Sequence, residues 1–445
     1  CSELLATRFG GPVPEELVGA LHRASGGNPF LLWELAGEVE RRNRLPVNAR
    51  AADIVAKFNS RGLARSIRDR IGLGEPAHRL AEAVAVLDQD ASGADSGAVA
   101  RLSEKEFDAA LAELIEAGIL DGHLPLRFVH PLVRDALWDG VPPARRAVLH
   151  GRAVAALRAR RAPLERVAAH LLHTEPAGNE RTVSELRHAA RAALAAGAPD
   201  FAADYLRRAT AEPPPAHVEI ATTLELAEAE AMLGLPSALD RLSTAAERSG
   251  ERAQRASIRR RLGEGLFQAG RPVEARAAFA AALADTDDDA AATELGMLID
   301  AMGVITGAPV RPVSSEEPAA DAKPELLIAR SLALISASVR GGEAAELARL
   351  AAGPGEMLRT HGPGVMFSIT GSCLIWCDLL DEASAEIDAA IARAGLLGDL
   401  PGLALMRFGR SWVSYWAGRL IDALADVDVA IRAWTDEERM RGQLA

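Results

Sequence analysis

The stretch "AGRPVEARAAFAAA", residues 269–282, decides the fold because its pattern recurs along the chain. Gly270 opens it, Ala275 follows five residues later, Phe279 comes four residues after that, and Ala282 three residues further on. Such a pattern indicates two helices joined by a tight turn, with small residues at the contact and one large residue filling the seam to a neighbour. Near-full copies stand at 196–209, 377–390 and 417–430, and a copy with one residue deleted stands at 233–246.

The spacing of the copies predicts an α-solenoid. Their first alanines are separated by 36, 37, 108 and 40 residues, and 108 is three units of 36. A period in the high thirties built from helix pairs is typical of stacked helical repeats. Residues 340–352 fill part of the long gap weakly, and the proline-rich stretch 307–324 predicts a solvated loop that interrupts the stack. The alanines concerned are Ala202, Ala238, Ala275, Ala383 and Ala423.

Composition agrees with a helical protein of more than one domain. The chain has 445 residues, of which 49% are apolar, mostly Ala and Leu, and only 4% are aromatic. Ala and Leu lead the helix-propensity scale, and a chain of this length is too long for one core. We expect two or three domains. A net charge of −12 gives no general attraction for nucleic acid or an anionic membrane.

Cysteine usage and hydropathy predict a cytoplasmic protein with no membrane association. No run of about 18 apolar residues is present, and no signal peptide is visible. The odd number of cysteines argues against a disulfide framework, and too few of them lie together for a structural zinc site. We therefore expect reduced thiols at Cys1, Cys373 and Cys377.

The first 150 residues predict a different arrangement of helices. Helices are expected at 63–71, 76–88 and 104–117, followed by a short hairpin at 118–130, which is the outline of a winged helix. The third helix would be the recognition helix of a DNA-binding protein, but acidic residues dominate it, and they would repel phosphate. We interpret this module as a spacer or switch. The acidic residues are Glu104, Glu106, Asp108, Glu113 and Glu116, against one Lys105.

Two helix starts share an unusual construction. Gly26 and Gly27 end one helix, Asn28 is a good N-cap, and Pro29 suits the first turn of the next helix. His130 likewise stands before a proline, Pro131. A helix N-terminus offers free backbone N–H groups and a partial positive charge, and so favours phosphate. A histidine there adds a donor or a charge, and a proline ring gives a flat surface for adenine.

The alternative is that these residues contact no ligand, so that Asn28 and His130 are only helix caps and Pro29 only starts a helix. Beyond these positions the sequence carries no signature of catalysis. The stretch 72–79, "GLGEPAHR", lacks the Lys-Ser/Thr ending of a P-loop, and neither HExxH nor GxSxG occurs. His170 and His173 have a metal-capable spacing but lack further ligands, which favours a packed or solvated pair. We predict no catalytic or metal-binding residue, and no enzyme activity for this chain alone.

The stretches "GGNPFLLWEL" (26–35) and "LRFVHPLVRDALWDGVPPARRAVLHGRAVAAL" (126–157) resemble the region after the ATPase core in large ATP-binding LuxR-type transcriptional regulators. These regulators belong to the STAND class of signal-transduction ATPases. The resemblance implies that Gly27-Asn28-Pro29 touches the adenine side of a nucleotide. It also implies that His130 touches the β-phosphate of ADP and holds the resting state. Val129 and Pro131 stand where the related Met-His-Asp motif has Met and Asp.

The resemblance is specific over about 26–175 and implies a mainly α protein in three parts. They are the C-terminal part of an ATPase helical lid domain (1–50), a winged-helix domain (51–150), and tetratricopeptide-like repeats (151–445) with the loop at 307–324. The Walker elements are expected before residue 1 and a DNA-binding helix-turn-helix after residue 445. ATP or ADP would then be bound by the full-length parent, a slow ATPase switch, and not by this fragment alone.

The function expected from these features is that of the central region of an ATP-dependent transcriptional regulator. It would complete a nucleotide switch site with the ATPase core of the same polypeptide, and sense an unknown inducer or protein through its repeats. DNA would be contacted only through the missing C-terminal domain. The alternative is a tetratricopeptide-like protein-binding scaffold without a nucleotide role.

Overall fold

The protein is almost entirely helical, which confirms the predicted fold class of a tetratricopeptide-like α-solenoid. No strand occurs among the described residues, and a single antiparallel bridge joins Leu120 to Phe128. Its contacts divide the chain into two compact units, Cys1–Glu175 and Pro176–Ala445. The computed structural model describes residues 1–25, 29–42, 74–88, 91–212, 214–311, 323–337, 341–353 and 355–435.

The first unit begins with three short helices, α1 (Ser2–Phe9), α2 (Glu15–Ser25) and α3 (Pro29–Arg42). α3 begins at the proline that the sequence assigns to a helix start, where the missing N–H is not needed for an intrahelical bond. Leu17 and Leu21 of α2 are one turn apart and fully buried. They belong to the same core as Leu32, Leu35, Ala36 and Val39 of α3, so both helices bury an apolar face.

Three further helices precede the bridge: α4 (Glu75–Leu87), α5 (Gly93–Ala100) and α6 (Glu104–Glu116). α4 and α6 match two predicted helices to within a residue at each end. The sequence pattern predicts no helix at α5. This helix starts at Ser92, whose hydroxyl caps it by accepting a hydrogen bond from the Asp95 backbone N–H. The predicted helix at 63–71 lies outside the described residues.

The predicted hairpin is reduced to one bridge with two flanking backbone hydrogen bonds. The Asp121 N–H donates to the Arg127 carbonyl at 3.0 Å, and the Val129 N–H donates to the Ile119 carbonyl at 3.0 Å. Three helices followed by this paired segment keep the order of a winged helix, and that assignment stays a prediction.

The acidic face of α6 is exposed. Glu104, Glu106, Asp108 and Glu116 all face solvent, and part of this acidity serves the helix itself. Ser103 and Glu106 form a capping box, in which each satisfies a backbone N–H of the other. Glu113 accepts from the Gly74 N–H at 2.6 Å. These positions therefore present negative charge where a DNA-reading helix needs positive charge.

The first unit ends with α7 (Pro131–Asp139), α8 (Pro143–Ala159) and α9 (Leu164–Leu171). α8 runs without a break through residue 150, where the sequence predicts a domain boundary. The first unit continues to Glu175. Arginines of α8 and of its C-cap form ion pairs inside the unit: Arg145 pairs with Glu82 at 2.7 Å, and the C-cap residue Arg160 pairs with the buried Asp95.

The second unit is a stack of paired helices. Its N-terminal helices are α10 (Glu180–Ala195), α11 (Pro199–Ala211), α12 (Ala216–Met232), α13 (Ser237–Arg248), α14 (Arg252–Gln268), α15 (Pro272–Asp285) and α16 (Asp289–Thr306). The remainder are α17 (Pro324–Ser336), α18 (Gly341–Ala352), α19 (Glu356–His361), α20 (Val365–Trp376), α21 (Leu380–Leu397), α22 (Leu400–Trp416) and α23 (Leu420–Thr435).

The repeat pattern has the physical basis that its residues predict. The opening residue of every copy lies in the turn between paired helices and has a left-handed backbone, with φ between 61° and 75°. The first alanine of every copy is buried, and Phe279 and Leu206 are fully buried in the seams. Small residues at the contact therefore allow close approach, as expected. The opening residues are Gly197, Gly234, Gly270, Asp378 and Gly418.

The stack also contains an irregular step. α16 and α17 run side by side in the same direction, as two sets of contacts indicate. Glu294 and Glu325, near the start of each helix, both reach His361. Ala301 and Leu332, two turns further along, line one cavity. Among the described residues, α16 has no second helix of its own unit. The segment predicted as a loop, 307–324, lies at this step, and its residues 312–322 lie outside the described part.

The second unit also brings distant repeats together. A Cβ on Gly197, in the turn before α11, would overlap the carbonyl oxygen of Leu396 near the end of α21. Gly398 in turn lies against the carbonyl of Gly197 and the ring of Pro199. The stack therefore curves until an early turn meets a late one, so that the helices between them face a common interior.

Candidate functional site

The structure locates two of the four residues that the sequence assigns to a nucleotide site. Pro29 is the first residue of α3, and His130 directly precedes α7. Gly27 and Asn28 lie outside the described residues. The shared nucleotide contact of these four residues stays a prediction.

His130 stands at a helix N-terminus through its backbone. Its carbonyl accepts from the N–H of Val133 at 3.0 Å and of Arg134 at 3.5 Å, which begins the hydrogen-bond ladder of α7. Its side chain is half-buried, and burial lowers the pKa of the imidazole. A lowered pKa favours the neutral imidazole, which still carries one N–H that can donate to a phosphate.

An apolar hollow of about 390 Å³ lies in the second unit. Cavities of about 300–1,000 Å³ lined by apolar and aromatic side chains are typical small-molecule sites. Side chains of α14, α16, α17, α20, α21 and α22 surround this hollow. They include Phe267, Ile305, Leu332, Phe367, Ile375, Trp376, Ile387, Met406, Phe408 and Trp412, with Ser368 and Ser372 as polar members.

Glycines on two facing helices make room for the hollow. Gly371 of α20 and Gly409 of α22 both line it, and a Cβ on either would meet only Ile387, at 3.7 and 3.6 Å respectively. A side chain at these positions would extend into the free space and not into the packed core. Glycine within a helix costs about 0.5–1 kcal/mol relative to alanine. The free space is kept at some expense of helix stability.

An aromatic row extends from the hollow along α22. Phe408 and Trp412 line the cavity, and Tyr415 and Trp416 continue the row toward the end of the helix. Their rings meet edge to face, with centroids 6.4 Å apart for Phe408–Trp412 and 5.5 Å apart for Tyr415–Trp416. All four are exposed by more than a third. Large aromatic residues left open to solvent in a row are typical of binding surfaces.

A charged cluster lies on three of the helices that line the hollow, α14, α16 and α17, and on α19. Arg260 donates to Glu294 at 2.6 Å and lies 3.3 Å from Glu264, while His361 contacts Glu325 at 2.7 Å. The cluster, made of these five residues, holds three carboxyl groups against one guanidinium and one imidazole.

Other reactive residues have packing roles. His170 and His173 are joined by His150, whose Nδ1 lies 3.0 Å from the Nδ1 of His170. No group of three or more potential ligands is arranged to hold a metal ion in the described ranges. Cys373 is buried, and burial raises its pKa to about 12, which keeps the thiol protonated and unreactive.

Sequence reasoning missed the hollow, although one signal pointed to it. Six of the eighteen aromatic residues in the chain fall within residues 367–416. An aromatic concentration in an otherwise aromatic-poor helical chain marks a surface or cavity with a purpose other than the Ala–Leu packing of the repeats. Gly371 and Gly409 carried no pattern that distinguishes them from other glycines.

Comparisons with known proteins give a limited likeness. No protein-family model matches the chain, and no curated protein matches it. A solved structure, a signal transduction ATPase with numerous domains (STAND) from Pyrococcus horikoshii that carries a tetratricopeptide repeat sensor, is similar at 12% identity with a TM-score of 0.35. The match covers 93% of this chain and 64% of that chain. None of the helices in the described ranges has both the length and the apolar character that crossing a membrane requires.

Proposed function

We propose that this chain is the sensor and switch region of an ATP-dependent transcriptional regulator of the LuxR type, and that its repeats bind a small apolar effector in the hollow. The ATPase core and the DNA-binding domain would be supplied by the same polypeptide outside these 445 residues. The effector would act through a difference in affinity between the resting and active states of the protein. The parent would be a slow ATPase switch in the cytoplasm.

The hollow is the observation that carries the proposal. A repeat stack that only scaffolds proteins buries its inner seams with close-packed side chains, as Phe279 does between α14 and α15. Here the inner helices leave an open space with an apolar and aromatic lining. Filling it with an apolar molecule would remove that lining from water, which is favourable by about 25 cal/mol per Å² of apolar surface.

A neutral fluorescent probe tests the effector site. N-phenyl-1-naphthylamine, titrated into the full chain, is expected to bind saturably at one site with enhanced fluorescence. The variant Gly409→Leu, whose side chain would occupy the hollow, is expected to bind it at least about tenfold more weakly. Gly395→Leu is the matched control, because Gly395 is exposed on α21 with no neighbour near its Cβ position. Absent saturable binding, or equal binding by Gly409→Leu and wild type, contradicts the site.

The nucleotide part of the proposal rests on the resemblance and on the positions of Pro29 and His130. A neutral His130 at the N-terminus of α7 would donate to the β-phosphate of ADP and hold the resting state. In the polypeptide that includes the ATPase core, His130→Ala should release ADP faster and raise basal transcriptional activity. His123→Ala, an exposed histidine in the loop before Leu126, is the control. Equal ADP retention by His130→Ala and wild type would remove His130 from the switch.

The alternative function, a protein-binding scaffold without a nucleotide role, is favoured by one observation. The outer face of α23 exposes Leu420, Ile421 and Leu424, next to the exposed Trp416 of α22. A contiguous apolar face of this kind suits a protein partner. If the scaffold is the whole function, neither His130→Ala nor Gly409→Leu will change nucleotide retention or the transcriptional response of the parent protein.

A further inference from the structure

On three helices, the charged cluster lies seven residues before the residues that line the hollow. Arg260 and Phe267 are seven residues apart on α14, Glu294 and Ala301 on α16, and Glu325 and Leu332 on α17. In each pair the first residue belongs to the charged cluster and the second lines the hollow.

Seven residues are two helical turns, or about 10.5 Å, and return to nearly the same face of the helix. The cluster and the hollow therefore lie on nearly the same face of these three helices, about two turns apart.

Glu264 is the member of the cluster nearest to the hollow along its helix. It stands one turn before Phe267 on α14, so the two side chains are neighbours on the helix surface. About a third of its side chain is open to solvent. Its surroundings are nevertheless crowded enough that burial raises the pKa of the carboxyl, to which the nearby Glu294 also contributes. A recessed carboxyl that is open on one side can accept a hydrogen bond from a molecule in the hollow.

Glu325 adds an acceptor that the described residues leave unused. One of its carboxyl oxygens, Oε1, meets His361 Nε2 at 2.7 Å. The other, Oε2, is buried and has no hydrogen-bond partner among the described residues. Buried carboxyl oxygens without a partner are rare because desolvation without a hydrogen bond is costly. Arg260, Arg261, Lys323 and His361 all act on these carboxyl groups, so the feature that calls for a ligand is the unused acceptor on Glu325.

We propose that the effector is an arylalkylamine, whose ring system fills the hollow and whose protonated nitrogen reaches the charged cluster at Glu264 and Glu325. This inference rests on the proposed effector site and assigns its chemical class. The aromatic lining from Phe267 to Trp412 stacks on the rings, and the carboxyl groups supply the acceptors that a cationic nitrogen requires. An anionic head would meet the carboxyl groups of Glu264 and Glu325 and is disfavoured.

Three naphthalene compounds with one ring system and different heads test the assignment. They are 1-naphthylmethylamine, 1-naphthylmethanol and 1-naphthoic acid, each measured at pH 7.5 as a competitor of N-phenyl-1-naphthylamine on the full chain. The amine is expected to bind about tenfold tighter than the alcohol, because a hydrogen bond to a charged group is stronger than a neutral one. The acid is expected to bind most weakly.

Variants link that preference to the carboxyl groups. Glu264→Gln keeps the shape of the side chain and should abolish the advantage of the amine while leaving the affinity for the alcohol unchanged. Glu274→Gln, on the exposed face of α15 where Glu274 pairs with Arg271, should keep the wild-type preference. Glu325→Gln is a second variant, for the case in which circular dichroism shows that Glu264→Gln is unfolded. It should also lower the affinity for the amine selectively.

The outcomes separate the two proposals. An alcohol that binds as tightly as the amine, or an amine preference that survives both substitutions, overturns the amine assignment and leaves the effector site in place. If neither the probe nor any of the three compounds binds in the hollow, the effector site itself is wrong, and the assignment falls with it.

Discussion

Gly263 lies where two helices of the repeat stack approach each other closely. It lies on α14 opposite Phe279 of α15, and a Cβ built on it would stand 2.5 Å from a ring carbon of Phe279. Phe279 is fully buried and occupies the large apolar position of the repeat. The ring has no free space to move into, because protein interiors are close-packed. A single hydrogen atom in place of a side chain therefore sets the distance between these helices.

Gly263→Ala should destabilise the second unit. An alanine gains about 0.5–1 kcal/mol of helix propensity, but overpacking against Phe279 costs about 1–3 kcal/mol, so we expect a net loss of stability. Gly395→Ala on α21 has the same propensity gain and no neighbour within 4 Å, and should stabilise the protein slightly. Urea unfolding of both variants checks the prediction. A Gly263→Ala variant as stable as Gly395→Ala would show that the two helices separate freely.

At the scale of the element, the turns explain why the repeat can be read from the sequence. The first helix of each repeat copy ends with carbonyls of its last turns bonded by the opening residue of the copy and the residue after it. At α14 the Gly270 N–H donates to the Phe267 carbonyl and the Arg271 N–H donates to the Leu266 carbonyl, both at 2.9 Å. This closure needs a left-handed residue, for which glycine is the least strained choice.

Asp378 is the exception among the residues that open the repeat copies. It opens the third full copy of the repeat and has φ of 61°, where the other copies use glycine. Aspartate is one of the few residues with a side chain that tolerates this region. The Asp378 N–H still donates to the Ile375 carbonyl at 3.1 Å, so the closure is the same. The turn geometry is conserved between copies although the residue type changes.

Ion pairs also join neighbouring helices of the stack. Glu225 of α12 accepts from both Arg187 and Arg191 of α10, at distances from 2.7 to 2.9 Å. Further along, Asp426 of α23 is held by Arg410 and Arg407 of α22. Burial alone would raise the pKa of Asp426, but these hydrogen bonds outweigh it and lower the pKa. Each pair fixes one helix against its neighbour, and none could be assigned from the sequence.

At the scale of the whole molecule, each unit contains groups with a lowered pKa, and the residue types differ between the units. In the first unit, burial lowers the pKa of His150 to about 3, with the charges of His173, His170 and Arg146 acting in the same direction. In the second, carboxyl groups such as Asp285 have a lowered pKa, chiefly through a hydrogen bond from Arg255. A group whose folded-state pKa is depressed contributes stability above its unfolded pKa, and that contribution is lost as the pH falls toward the folded value.

The first unit should therefore lose stability at a higher pH than the second. An unfolded histidine takes up its proton near pH 6.5 and an unfolded aspartate near pH 3.9, so the loss begins at about pH 6.5 in one unit and about pH 4 in the other. Hydrogen exchange of peptides from 143–175 and 252–285, corrected for intrinsic rates, measures each unit separately. His150→Gln should remove most of the loss between pH 6.5 and 4.5. If the variant declines as wild type does, His150 is not its source.

Much of the architecture was determined by the sequence itself. The periodic turn residues and alanines predicted the stacked helices, and Pro29 and His130 marked helix starts that the structure contains. These features are readable because they depend on local backbone conformation and on residues a few positions apart. The missed helix α5 is short and rich in Gly, Ala and Ser, and has no apolar periodicity to reveal it.

The hollow and its charged neighbour were decided only by tertiary structure. Phe267 and Trp412 lie 145 residues apart in the sequence and line one cavity because the stack curves until the turn at Gly197 meets the one at Gly398. That curvature is the sum of small rotations between successive helix pairs. No local pattern encodes such a sum. The sequence thus specified the unit that repeats, and the packing of the units on one another created the interior in which the proposed effector binds.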